Sequence, residues 1–552
     1  MPAPTAHLDT FARDNLPAAG DLPQTVFSLA SLQFPNRVNC AAEILERHIA
    51  AGRGESTAIL APGTLWTYAE LNAHANRIAR VLVEDFGLVP GNRVLLRSPN
   101  NPMLAACWFA VLKAGAIAVA TMPLLRARDL VPIISKARID IALCDSRLLK
   151  ELSQTQAETI PFQIVQFEGA DTADSSGDLN LRMRKKPDTF SSVETAREDV
   201  ALIAFTSGTT GVPKGTLHYH SDVLAMNATV GESIFKCRPG DIVIGSPPLA
   251  FTFGLGSLLT FPLAAGASTV LLESASAPDL LQGINQFRAT ICATAPTAYR
   301  VMLRQMDGVP LPSLRRCISA GEHLPLETFE HWREQTGINI INGLGTTEML
   351  HMFVGAEGPD IRPGSTGKAL PGYEIRILGQ DGAPLPPGKS GRLAVRGPTG
   401  CKYMADPRQR EYVVNGWNLT GDICSTDAEG YVWYEGRSDD MIVSAGYNIS
   451  GPEVEQALLP HPAVLECAVV AAPDQERGHV VKAFIVPAPG YTAGPDLTRT
   501  LQELVKGSIA PYKYPRLIEY VESLPKTYTG KLQRNVLRAQ AAASHSPNPS
   551  GE

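Results

Sequence analysis

The sequence predicts an α/β fold: a large N-terminal domain of two parallel-type α/β subdomains plus a small β-barrel, then a small α+β C-terminal domain. Three observations predict it. The 552 residues exceed what one hydrophobic core fills and correspond to about three or four units of ordinary domain size. From about residue 66, helical and strand-like segments alternate, the pattern of parallel sheets covered by helices. After about Gly364 the texture changes to short β-type runs between Gly/Pro turns, as in a small antiparallel barrel or sheet. The expected divisions are residues 1–437, residues 438–540, and a disordered Ala/Ser/Pro-rich tail, 541–552.

Element by element, Tyr68 to Leu82 carries apolar residues at helical spacing, and Gly91 to Leu96 reads as a strand. Pro102 to Leu112 reads as a helix and Ala116 to Ala120 as the next strand. The rhythm returns at Asp241 to Gly245, Ser268 to Leu272, Ala289 to Ala293 and Ile338 to Ile341. Tyr373 to Ile377, Gly391 to Val395 and Gly430 to Tyr434 are the β-type runs of the barrel region. The last unit holds a helix from Pro452, strands from Val464 and Val480, and a helix from Asp496.

Composition narrows the function. Hydrophobic residues make up 44% and charged residues 19%, an ordinary globular balance, and the formal net charge of −6 argues against a generic nucleic-acid or membrane-surface protein. The nine cysteines include no Cys-x-x-Cys pair, which fits reduced thiols rather than a disulfide framework or zinc. The first residues lack a basic stretch followed by an apolar core, so the expected setting is cytoplasmic. Met103 to Leu125 is the most apolar stretch, but Lys113, Gly115 and Pro123 interrupt it; a buried helix followed by a strand fits better than a membrane span.

The chemistry starts at Thr206-Ser-Gly-Thr-Thr-Gly-Val-Pro-Lys-Gly215, directly after the apolar run Val200 to Phe205. A glycine-rich loop at a strand end offers backbone N–H groups and the hydroxyls of Thr206, Ser207, Thr209 and Thr210 to phosphate oxygens, and Lys214 supplies a point charge. Gly208 and its companions keep the loop open to a close approach. The nucleotide P-loop ends in Gly-Lys-Ser/Thr, whereas Lys214 stands between Pro213 and Gly215, so that motif is absent. A plain flexible linker seldom carries Val-Pro-Lys between glycines after a six-residue apolar strand.

Six further motifs follow in order: Ser319-Ala-Gly-Glu322, Gly343-Leu-Gly-Thr-Thr-Glu348, Leu419-Thr-Gly-Asp422, Gly436-Arg-Ser-Asp-Asp440, Ser444-Ala-Gly-Tyr-Asn-Ile449 and Pro525-Lys-Thr-Tyr-Thr-Gly-Lys531. With the loop, they resemble the full motif series of the acyl-adenylate-forming (ANL) superfamily of acyl-CoA synthetases, peptide-synthetase adenylation domains and luciferases. The resemblance runs from about residue 60 to about 538. It implies that a carboxylate attacks the α-phosphate of ATP to give an acyl-AMP and pyrophosphate, and that a thiol, coenzyme A or a carrier protein, then displaces AMP. Two anions meet in the first step, so catalysis rests on positioning and charge stabilisation.

In that resemblance Lys531 is the catalytic cation that reaches into the site. One charge pair at about 4 Å is worth about 4 kcal/mol at an effective dielectric near 20. Glu348 resembles the acid that binds Mg2+, and Thr347 the hydroxyl that touches phosphate, beside Gly345 and Thr346 of the same motif; one carboxylate beside ATP suits a magnesium ion. Gly321 and Glu322 are expected to pass the adenine. Asp422, assisted by Arg437, is expected to accept from the ribose hydroxyls, with a plain turn residue after Gly421 as the lesser alternative. Asp439 resembles the hinge about which the small domain swings, making that domain mobile, and an ordinary polar loop is the alternative. Ser444, Ala445 and Gly446 are expected to line the channel for coenzyme A.

Leu344 replaces the aromatic residue that opens this motif in many relatives. With Met349-Leu-His351 and Pro248-Leu-Ala-Phe-Thr-Phe-Gly-Leu-Gly256, it resembles the benzoate–CoA ligase branch, which builds a flat slot for an aryl acid. The expected acyl pocket is Phe251, Thr252, Phe253, Gly254, Leu344 and His351, with His351 as the polar contact; ordinary core packing is the competing account of Phe251, Phe253 and His351. Asp9 to Pro17 and Asn39 to Glu43 look like the 2-aminobenzoate–CoA ligases, and Phe253 stands where benzoate ligases often carry a tyrosine. Thr252 stands where amino-acid-activating members place an aspartate, which disfavours α-amino acids. The resemblance therefore implies an aryl-CoA ligase acting on 2-aminobenzoate, with benzoate, or an enzyme loading an aryl acid onto a carrier protein, as alternatives. A non-catalytic nucleotide-binding regulator sits poorly with retained Lys531, Glu348 and Asp422. The partners are small molecules (aryl acid, ATP, coenzyme A), with no nucleic acid or membrane, in a monomer or homodimer.

Overall fold

The computed structural model describes residues 4–169, 174–206, 213–306, 308, 310–438, 440–444, 447–474, 477–526 and 532–543. The alternating half of the sequence folds into two sheets. The first has six strands in the order 163–167, 141–145, 93–97, 117–121, 200–206, 214–219, parallel except for the last. The second has nine strands; its parallel centre comprises Arg316–Ser319, Ile291–Thr294, Ile242–Gly245 and Ser268–Val270. A five-stranded antiparallel half-barrel spans residues 374–437, and the small unit is built on three strands, Val464–Asp474, Gly478–Pro487 and Leu517–Tyr520.

Local sequence explains the helices between them. Tyr68–Arg80 starts at a capping box: Thr67 accepts from the Glu70 N–H at 3.2 Å, and Glu70 accepts from the Thr67 N–H at 2.8 Å. The apolar Pro102–Lys113 is a helix capped by Asn101 with proline in its first turn. Every one of its residues is buried, which explains its all-round hydrophobicity. Among the described residues no helix is long and apolar enough to cross a membrane, and all nine cysteines are free.

The last helix, Arg534–Ala543, runs three residues into the segment expected to be a disordered tail. Leu537 and Ala541 are buried in the small core with Phe484 and Val470, and that burial holds the end of the helix in place.

The first forty residues form a strap. Asp9 pairs with Arg93 beneath the first sheet, and Thr5 and Ala6 bond Asp199. Farther along, Thr25 bridges Gly397, the Gln24 N–H donates to the Gly416 carbonyl at 2.9 Å, and the Asp21 carbonyl accepts from Gln409 at 2.9 Å. The strap thus joins the first subdomain to the half-barrel.

Candidate active site

Both phosphate-directed motifs sit on hairpins that interrupt the parallel pattern. Val200–Thr206 returns as the antiparallel strand Lys214–Tyr219, with Thr206 directly opposite Lys214. The glycine-rich segment joins these two positions; Ser207, Gly208, Thr209 and Thr210 lie outside the described residues. Ile340–Gly345 returns as Met352–Gly355, and the turn between them carries Thr346, Thr347, Glu348 and His351. Gly345 is required there, because a methyl group would lie 2.5 Å from the His351 carbonyl oxygen. Thr346 caps the turn by accepting from the Met349 N–H at 3.2 Å and lies 3.2 Å from the Tyr412 hydroxyl. Leu350 completes it at φ +68°, a strained conformation for a buried leucine that costs roughly 1–3 kcal/mol.

The hairpins are held against each other. Glu348 is buried, and its Oε1 accepts from the Tyr403 hydroxyl at 2.5 Å. Lys214 Nζ donates to the same hydroxyl at 3.2 Å and lies 5.0 Å from the Tyr403 ring centre. Burial, reinforced by the Glu348 carboxylate, raises the Tyr403 phenol far above its usual range, so it remains a donor. Behind them, His218 Nε2 lies 2.9 Å from the Thr347 carbonyl, and Asp222 sits 2.8 Å from Lys402 Nζ and 3.7 Å from His218 Nδ1. Burial lowers the His218 pKa, leaving a neutral ring that donates from Nε2. Burial pushes Asp222 up, but the Lys402 ammonium beside it outweighs that and holds it down, so it stays ionised.

Asp422 and Arg437 are cross-strand partners in the half-barrel. Arg437 donates to the Asp422 carboxylate at 3.2 Å and to the Thr420 carbonyl at 2.9 Å. Glycine precedes Asp422 because Gly421 has φ +79°, and a side chain there would meet Arg437 at 2.8 Å. Glu322 accepts from the Thr297 hydroxyl at 2.7 Å, and Gly321, at φ +88°, faces space with no atom within 4 Å of a built Cβ. That open face is what a flat base needs. Ser444 is buried in the strand Ile442–Ser444; Ala445, Gly446, Asp439 and Lys531 lie outside the described residues. The small unit meets the large one here: Gln456 bonds His323, which stacks on Tyr434 at 6.0 Å, and Ser450 bonds the Glu435 carbonyl.

The acyl segment begins with half-buried Phe251, then the short helix Thr252–Leu255. Thr252 is buried, and Gly254 packs on Pro248, whose carbonyl oxygen would lie 2.0 Å from a methyl group. Phe253 and Leu344 are half-buried against the main core. His351 is fully enclosed, with ring centres of Phe261 at 4.7 Å, Phe253 at 5.6 Å and Phe235 at 6.1 Å. Neither ring nitrogen makes a hydrogen bond of good geometry; burial pushes the ring down to about 3, opposed only in part by the nearby Phe253 backbone, so it is neutral. Gly256 makes the space, since a methyl there would lie 2.5 Å from the imidazole.

A family model described as AMP-binding enzyme matches residues 46–403, and its C-terminal domain model matches residues 453–531. The chain is an AMP-binding enzyme. This AMP-binding enzyme is 35% identical over 516 residues to the benzoate–CoA ligase of Thauera aromatica, covering 92% of this chain and 97% of that one. Among solved structures it is similar to the anthranilate CoA ligase AuaEII in complex with anthranoyl-AMP (TM-score 0.88, 34% identity, 94% of this chain and 99% of that one). It is also similar to a benzoate CoA ligase from Burkholderia xenovorans LB400 (TM-score 0.83, 30% identity, 91% and 100%). The superfamily read from the motif series is therefore the one found, and the enzyme is an AMP-forming acid–thiol ligase of the acyl-CoA synthetase type, working through an acyl-adenylate.

The motif series did not single out Tyr403, His218, Tyr412 or Gly256, which the structure places against its residues. Tyr403 stands in Cys-Lys-Tyr-Met, which carries no catalytic signature. His218 sits in the strand Lys214–Tyr219, whose mixed sequence gives no catalytic signature and whose middle residues are buried. Glu348 suits magnesium: it is one buried carboxylate with a single oxygen held, and no cluster of three or more potential ligands exists among the described residues. That is the arrangement for an ion held mainly by phosphate oxygens and water, not by a protein cage.

Proposed function

We propose that the enzyme activates 2-aminobenzoate as its acyl-AMP and transfers the acyl group to coenzyme A. The observation that carries the choice of acid is His351. A buried, neutral imidazole that finds no hydrogen bond of good geometry among the described residues is costly, by roughly 1–3 kcal/mol, and here it stands amid Phe235, Phe253 and Phe261. In this reading the aryl ring packs beside half-buried Phe253, and an ortho amine gives the imidazole a partner that benzoate lacks. The likeness to a ligase solved with anthranoyl-AMP supports the same reading.

In this reading Thr206 to Thr210 and Lys214 hold the phosphates, Gly321 and Glu322 the adenine, and Asp422 with Arg437 the ribose. Mg2+ neutralises phosphate charge when bound, held by Glu348 with Thr347 alongside. Lys531 approaches for adenylation and withdraws as the small domain turns about Asp439, which brings Ser444, Ala445 and Gly446 to the thiol. We take residues 1–437 and 438–540 as the two bodies of that motion, in a cytoplasmic monomer or homodimer.

A panel of substituted benzoates with one medium-chain fatty acid, ranked by kcat/KM, tests the substrate. First place for 2-aminobenzoate is expected; benzoate leading by tenfold overturns the amine contact, and a fatty acid leading overturns the aryl slot. Comparing coenzyme A with a carrier protein as acceptor settles the thiol. Lys531→Ala is expected to slow adenylation by on the order of 10²–10³ while sparing thiolysis of preformed acyl-AMP. Equal losses in both half-reactions contradict the swing.

A further inference from the structure

We propose that Tyr403 is the positioning residue for Glu348, fixing one carboxylate oxygen and keeping Lys214 from closing onto it. The inference rests on reading Glu348 as the magnesium-binding acid. Three observations carry it. First, the Tyr403 hydroxyl lies between two opposite charges, donating to Glu348 Oε1 at 2.5 Å and accepting from Lys214 Nζ at 3.2 Å. An O–H donor to a carboxylate at this separation is charge-assisted and strongly directional. Second, Tyr403 is the one donor that reaches Glu348 among the described residues, and no ion pair joins Lys214 to Glu348. Oε1 is held, and no donor among the described residues is recorded on Oε2, the arrangement required if one oxygen is to face a metal.

Third, the hydroxyl's place is fixed from several directions. The Leu217 N–H donates to the Lys402 carbonyl and the Met404 N–H to the Gly215 carbonyl, both at 2.8 Å, docking the Tyr403 segment on the strand that begins with Lys214. Gln409 Oε1 accepts from the Tyr403 N–H at 2.8 Å, while its Nε2 donates to the Asp21 and Cys401 carbonyls. A phenylalanine would pack equally well in a site that is 1% exposed. What the hydroxyl adds over a phenyl ring is its two polar contacts. Without it, Lys214 and Glu348 are free to pair, and both charges are withdrawn from the nucleotide.

The experiment titrates Mn2+, as a magnesium stand-in, into the ATP-bound full-length protein and follows water-proton relaxation, which needs no turnover. Partners one step removed from a metal typically contribute 10–100-fold to its affinity, so Tyr403→Phe is expected to weaken Mn2+ binding about 10-fold. Tyr403→Gln, which restores an N–H donor, is expected to recover part of the loss, and Tyr403→Phe added to Glu348→Gln is expected to change nothing further. If Glu348→Gln weakens Mn2+ binding while Tyr403→Phe does not, the positioning role falls and the reading of Glu348 stands. If neither variant weakens it, the reading of Glu348 falls and takes the proposal with it. If Tyr403→Phe weakens binding equally with and without Glu348→Gln, or if the glutamine variant recovers nothing, Tyr403 acts only on packing and the proposal is overturned.

Discussion

His218 Nε2 lies 2.9 Å from the backbone carbonyl of Thr347, across 129 residues of sequence. This contact ties the strand that follows the glycine-rich segment to the turn that carries Glu348. His218→Leu leaves that carbonyl without its donor, a loss of roughly 1–3 kcal/mol. ATP–pyrophosphate exchange is expected to fall about 10-fold or more, and His218→Gln, which can still donate, to fall less. Equal rates for the leucine variant and the wild type would rule out a role for this bond.

Gly256→Ala places a methyl 2.5 Å from His351 and 2.7 Å from the Phe261 ring. The imidazole has no room to retreat among three phenylalanines, so the acyl slot is expected to narrow. KM for the aryl acid should rise by about 10-fold or more, with KM for ATP unchanged. A parallel rise in both constants would place the damage in the fold and not in the acyl pocket.

Asp222 and Lys402 form an ion pair in which each side chain is 3% exposed. Removing one partner strands a buried charge, so Lys402→Met is expected to destabilise the large domain by about 3–5 kcal/mol. Lys402→Met combined with Asp222→Asn should recover much of that loss. Urea unfolding of the two single variants and the double variant measures the coupling; strict additivity would deny it.

Acid should weaken the fold in a definite window. Burial holds His220 and His351 down at about 3, and lowers His218 as well. The unfolded chain takes up these protons at the ordinary histidine value near 6.5, and the native state does not. Stability is therefore complete above about pH 6.5 and declines as pH falls from there towards 3. At pH 5.5 His220 and His351 together account for a loss of about 3 kcal/mol. A urea midpoint that falls between pH 7.5 and pH 5.5 is the expected result; one that rises would contradict neutral buried imidazoles.

Much of this was legible in the chain because local patterning and tertiary demand agree. Pro102 to Lys113 is apolar all round and is buried all round. Thr206, Glu348 and Asp422 stood out because each falls in a short motif of the family to which the chain belongs. What stayed hidden depends on distant contacts. Tyr403 is silent until the fold sets it between Lys214 and Glu348, respectively 189 and 55 residues away. The hairpin geometry of the two motif loops was also missed, because a single antiparallel strand at each site breaks an otherwise parallel rhythm. The strain at Leu350 has no signature either, since leucine ordinarily avoids positive φ.

The strap at the start of the chain imposes an order on synthesis. Asp21 waits for Gln409, a partner made 388 residues later. At about 5–20 residues per second, the stretch around Asp21 stays unmated for roughly 20–80 s, while Asp9 and Thr5 can already meet Arg93 and Asp199 of the first sheet. A chaperone holding that segment, or a ribosome that pauses before Gly416, therefore acts on the step that seats the loop bearing Tyr403.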